Sequence, residues 1–229
     1  MKLSSKNKII QMNKKYKNKA SIQFKSNFYS KVDIQGWRNS LIRKLPKFKG
    51  LISADFGCGL GDKTAVLLDS YANIFEKAFL IDFSSSATKF AKQYFENQEN
   101  IFIINEDAIL SLEKIEDNSI NIVLLFGFLH EIENRKKFLS ILRKKLAKQH
   151  IVLVSDNDLY FNINELHREF ISLGYEGICY KRIFSFLFFK LFKSIEKKFS
   201  LNDLILRLIK GRSDSFFAVY SSGNIKKFY

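Results

Sequence analysis

The sequence predicts an α/β protein built on a mostly parallel sheet, and three observations carry that expectation. Short apolar runs alternate with amphipathic helical stretches through the middle of the chain. The runs are apolar throughout rather than at every second residue, as strands covered on both faces must be. The only proline, Pro46, precedes the first run, so no proline interrupts the helices or strands that follow.

Each element follows in order. LISADF (51–56) is the first run, and a helix is expected over 60–71. AFLIDF (78–83) is the second, followed by a helix over 86–97 that Ser84-Ser85-Ser86 would cap. IFII (101–104) and SINIVLLF (119–126) are the third and fourth runs. A basic amphipathic helix spans 133–147, HIVLVS (150–155) is the fifth run, and residues 163–173 form one more helix. ICYKRIF and SFFAVYS read as two further strands, separated by an insertion over about 185–213. Ahead of the sheet, Ile34, Trp37, Leu41 and Leu45 share one helical face, with Asp33 as N-cap and Pro46 as stop. The expected division is a basic N-terminal arm and cap helix over 1–50, then one domain over 51–229 that contains the insertion.

Composition narrows the function. At 46% hydrophobic and 27% charged residues the chain folds rather than staying disordered. Two cysteines, Cys58 and Cys179, exclude a disulfide framework and a cysteine-rich zinc site. No uncharged apolar run reaches 18 residues and no signal-peptide pattern opens the chain, so the expected location is the cytoplasm. The net charge of +15 is uneven. Residues 1–50 hold 14 Lys and Arg against one acid, residues 51–180 hold 13 against 19, and residues 181–229 hold 11 against 3. Basic ends of this kind either approach phosphates, on nucleic acid, lipid headgroups or an anionic substrate, or reflect a Lys- and Asn-rich codon bias.

The first run ends in Asp55-Phe56-Gly57-Cys58-Gly59-Leu60-Gly61-Asp62. Three glycines at spacing two permit a tight turn and close approach of a ligand to the backbone. A dinucleotide loop would need glycine at position 62, where Asp62 stands, and the two flanking acids would repel a pyrophosphate and suit a cation. The pattern D-x-G-x-G-x-G on a first strand resembles motif I of the class I S-adenosylmethionine (SAM) methyltransferases. The resemblance covers residues 51–155 by motif and 156–229 by strand order only. It departs before the fifth strand, where Leu146-Ala147-Lys148-Gln149-His150 replaces a Pro-Gly-Gly-like turn.

The resemblance implies a seven-stranded sheet in order 3-2-1-4-5-7-6, the last strand antiparallel and helices on both faces. It implies SAM as cofactor, held by Asp55, Phe56, Gly57, Cys58, Gly59, Gly61 and Thr64. The ribose would lie on Asp82 beside Phe83, the adenine beside Asp107 and Ala108, with Phe126 and Gly127 along the cleft. After the fourth strand, Leu125-Phe126-Gly127-Phe128-Leu129-His130-Glu131-Ile132 resembles the acceptor-facing segment of small-molecule methyltransferases. His130 is the candidate general base, since its unperturbed pKa lies near neutrality, and Glu131 is the second catalytic candidate. His150 and His167 read as structural.

The acceptor is read mostly from absences. The Pro-containing segment of nucleobase-amino methyltransferases needs prolines that the chain lacks. Neither Cys58, inside the loop, nor Cys179 stands where a covalent nucleophile would. Asp156-Asn157 matches half of a metal-dependent catechol site, but Phe126-Gly127 leaves the other half empty, so no metal is expected. The stretch Phe184–Lys193 interleaves Phe and Leu with Lys, as a lid over a greasy acceptor or a peripheral membrane contact would. Tyr29 and Trp37 are expected to close the pocket opposite. The expected function is methyl transfer from SAM to a small-molecule or lipid-linked acceptor, most readily at oxygen. The alternatives are an RNA methyltransferase that uses the basic ends, and a non-catalytic partner protein of the same fold.

Overall fold

The computed structural model describes residues 50–71, 75–156, 162–176, 181–183 and 215–221. The strands are β1 (Leu51–Phe56), β2 (Phe75–Ile81), β3 (Ile101–Ile104), β4 (Ile120–Phe126), β5 (Leu146–Asp156), β6 (Lys181–Ile183) and β7 (Ser215–Ser221). The helices are α1 (Asp62–Tyr71), α2 (Ser85–Tyr94), α3 (Ala108–Lys114), α4 (Arg135–Lys145) and α5 (Ile163–Ser172). Strands β1 to β5 pair in parallel, while β7 pairs antiparallel with both β5 and β6. Hydrogen bonding orders the sheet β3-β2-β1-β4-β5-β7-β6. The cap helix, Tyr29, Trp37, Cys179, Asn157 and the insertion lie outside the described residues.

The apolar runs have their explanation in two cores. On β4, Ile122, Leu124 and Phe126 pack with Leu67 and Leu68 of α1 and Ala91 of α2. The intervening Val123 and Leu125 join Leu112 of α3, Phe138 and Leu142 of α4, and Leu166 and Phe170 of α5. Both sides of the strand are buried from Ile122 to Phe126, and its one polar residue, the half-buried Asn121, is held by hydrogen bonds with Ile52 and Gln149. Caps set the helix starts: Ser84 accepts from the Ala87 N–H, Asn134 from Lys137 and Asn162 from Asn164. Among the described residues no helix is long and apolar enough to cross a membrane.

Two local features depart from the sequence reading. Helix α3 fills a stretch where no helix is expected; at seven residues it is too short to display a period. Strand β5 begins at Leu146, four residues early, because α4 runs straight into it. Leu146 pairs with Ile120 and pairing resumes at Ile151 with Ile122, leaving a bulge between them. Within it His150 is buried, with Nδ1 2.7 Å from the Ala147 carbonyl oxygen. His150 is therefore a structural residue.

Candidate active site

The glycine turn is built on the parallel pairing of β1 with β2. The N–H groups of Gly57 and Cys58 both donate to the Ile81 carbonyl, at 2.8 and 3.1 Å, and Gly61 donates back to Cys58 at 2.9 Å. Gly57 has φ +69°, and a Cβ there would lie 2.6 Å from the Phe128 ring. A Cβ at Gly61 would meet Phe95 at 2.6 Å. These two glycines are thus demanded by the protein's own packing, in addition to the tight turn and the ligand approach that the sequence suggested. Gly59 donates its N–H to Asp82 Oδ2 at 2.8 Å, and Ser84 donates to Oδ1 at 2.8 Å. Asp82 therefore ties the turn to the start of α2.

Beneath the turn lies Asp55, buried at the end of β1. The Thr64 hydroxyl donates to its Oδ2 at 2.7 Å, while the buried Oδ1 has no hydrogen-bond partner among the described residues. Burial pushes its carboxyl from an ordinary 3.8 to about 7; Thr64 and Lys63 oppose this, and Asp62 and Asp82 add to it. A buried carboxyl oxygen with an unmet lone pair, ringed by further acids, fits a ligand that brings positive charge and N–H donors. SAM, with its sulfonium and ammonium groups, has that chemistry. Cys58 is buried as well; burial first, then Asp55 and Asp82, push its thiol well up, so it stays protonated and unreactive.

The remaining candidates lie along the same carboxyl edge. Phe83 is half-buried just beyond β2. Asp107 caps α3, its Oδ1 accepting from Ile109 and Leu110 at 2.8 and 3.2 Å, and Ala108 is buried at the first helical position. Asn105 donates to the Asp82 carbonyl at 3.0 Å, which draws the end of β3 toward the glycine turn. Phe126 is buried at the end of β4. Gly127 donates to Ser155 at 2.7 Å, and a Cβ on it would meet nothing within 4 Å. That side of Gly127 faces open space.

His130 sits three residues further on, in the segment whose Phe128 abuts Gly57. Its Nδ1 lies 2.6 Å from Asp156 Oδ1, its N–H donates to Asp156 Oδ2 at 3.3 Å, and its Nε2 is 3.2 Å from Glu131 Oε1. Burial pulls the imidazole pKa down, but the hydrogen bond and charge of Asp156, with Glu131, outweigh it and raise the pKa above 6.5. Sequence reasoning missed this partnership and weighed Asp156 only as half of a metal site. The available signal was strand adjacency: β5 lies beside β4, so an acid ending β5 reaches the segment that follows β4. His167 stands apart, stacked on Tyr220 at 6.2 Å, and its pKa is lowered by burial.

A family model described as a methyltransferase domain matches residues 47–199, more than half of the chain. No curated protein sequence matches significantly. Among solved structures, a SAM dependent methyltransferase from Aquifex aeolicus is 13% identical with TM-score 0.60, covering 91% of this chain and 97% of that one. The plantazolicin methyltransferase in complex with S-adenosylhomocysteine is 14% identical with TM-score 0.59, covering 92% and 89%. Haemonchus contortus phosphoethanolamine N-methyltransferase 2, in complex with phosphomonomethylethanolamine and S-adenosylhomocysteine, is 15% identical with TM-score 0.61, covering 83% and 53%. The chain spans about half the length of that protein and of a similar carbon methyltransferase. At these identities the likeness is one of fold, and it agrees with the strand order and with the turn that the acids surround. With two thirds of its length matched by the domain, the chain belongs to the methyltransferase-domain family.

Proposed function

We propose that the protein methylates a hydroxyl oxygen on a small-molecule or lipid-linked acceptor. The observation that carries this reading is His130, held between two carboxylates at the strand edge that also bears the glycine turn. SAM supplies a methyl group on a sulfonium, and the electron pair of the carbon–sulfur bond departs with a neutral thioether as the acceptor oxygen takes the methyl. The chain's own share is to hold and orient, and to remove one proton. Asp55 and the Gly57–Gly61 turn hold the cofactor's amino-acid end, Asp82 the ribose, and Asp107–Ala108 the adenine. Cys58, Thr64, Phe56, Phe83, Phe126 and Gly127 shape the walls. His130 accepts the acceptor's hydroxyl proton at Nε2, and Glu131 guides that proton outward.

The charge at this edge favours a neutral acceptor over a nucleic acid. Asp55, Asp82, Glu131 and Asp156 gather there, and a phosphate backbone brought to the reacting atoms would be repelled. In the same reading, the Phe-rich composition of residues 185–213 suits a greasy acceptor. The basic ends then serve lipid headgroups at a membrane surface rather than RNA. His130→Ala tests the base. Label transfer from SAM into a metabolite and lipid extract should fall roughly 10²–10⁴-fold, with SAM affinity by calorimetry nearly unchanged. A loss below tenfold would leave His130 as a wall of the pocket.

A further inference from the structure

We infer that Asp156 is the positioning residue for His130, fixing the ring with Nδ1 protonated and inward so that Nε2 is the atom presented to the acceptor. This rests on the reading of His130 as the base. The side chain of Asp156 is 1% exposed, against 18% for His130 and 32% for Glu131. A carboxylate taken so far from water needs donors for both oxygens. His130 provides one for each: Nδ1–H at 2.6 Å to Oδ1, and its own backbone N–H at 3.3 Å to Oδ2. A ring flipped or deprotonated at Nδ1 would leave a buried charge facing a lone pair. The tautomer is therefore set by β5, an element that need not touch the acceptor.

The second carboxylate explains how the resting site keeps its shape. Glu131 Oε1 lies 3.2 Å from Nε2 and is the most exposed member of the three. When the ring is charged, Nε2–H donates to that oxygen; loss of this proton leaves the Nε2 lone pair to the acceptor hydroxyl, which takes the place of Glu131. In the reaction the acceptor's O–H bond breaks, an N–H bond forms at Nε2, and the Nδ1–H proton stays where Asp156 holds it. Asp156 then stabilises the resulting imidazolium without becoming protonated. The charged groups that the described residues bring to the ring are Asp156 from β5 and Glu131 from its own segment.

Nitrogen-15 NMR of the histidine rings in the full chain tests this, with His130→Ala identifying the signal among the three histidines. In the wild-type protein, above its titration, neutral His130 should show the Nδ1–H tautomer; the Nε2–H tautomer would overturn the inference with no variant needed. In Asp156→Asn the proton affinity of His130 should drop about tenfold or more. The acid limb of kcat should move to lower pH, and kcat should fall about 10²-fold with SAM affinity unchanged. Lost turnover with an unmoved His130 titration would make Asp156 merely structural. Full activity in His130→Ala would instead overturn the base reading, whatever the NMR shows.

Discussion

Asp55 occupies a position that water cannot reach and that one hydroxyl satisfies only in part. Its proton is therefore bound more tightly in the folded chain than in the unfolded one, with the carboxyl at about 7 against an ordinary 3.8. The linkage has a definite sign. The contribution is fully present below about pH 4 and is lost as pH rises through about 7. Without cofactor, the stability of the wild type relative to Asp55→Asn should decline across that interval, as thermal melts at stepped pH would reveal; a constant difference would mean that Asp55 ionises normally. The acid was legible in the sequence because it ends an apolar run and opens a glycine turn. Its missing partner was not, since that depends on how Thr64 and the turn fold back over it. The contact of His130 with Asp156 was equally hidden: 26 residues separate the two, and only the pairing of β4 with β5 joins them.

Helix α4 is the element that holds the site in shape. Phe138, fully buried on it, meets Phe56 edge-on at 5.1 Å and Phe128 at 5.2 Å. Phe56 precedes the glycine turn and Phe128 precedes His130, so one aromatic side chain braces both halves. Phe138→Ala should destabilise the protein by about 3–5 kcal/mol in denaturant titrations, cavity included. A cost under about 1 kcal/mol would show the three rings to be independent. This helix was readable from its period, since Phe138, Leu139 and Leu142 line one face. The short α3 and the early start of β5 were not. One lacks the length for a pattern, and the other is fixed by Leu146 finding Ile120 across the sheet.

At the scale of the whole molecule, the parallel sheet was the most legible feature, because strands buried on both faces leave a long apolar signature. The carboxyl edge then follows from topology: parallel strands deliver Asp55, Asp82, Phe126 and Asp156 to one side, where ligands of open α/β sheets bind. The acceptor was not legible, since the basic and Phe-rich composition toward the ends of the sequence suits more than one partner. Methyl-labelled SAM incubated with the full chain and a cell extract, then separated into metabolite, lipid and RNA fractions, measures that choice directly. The account predicts label in the metabolite or lipid fraction, lost with His130→Ala. Label confined to RNA would contradict it.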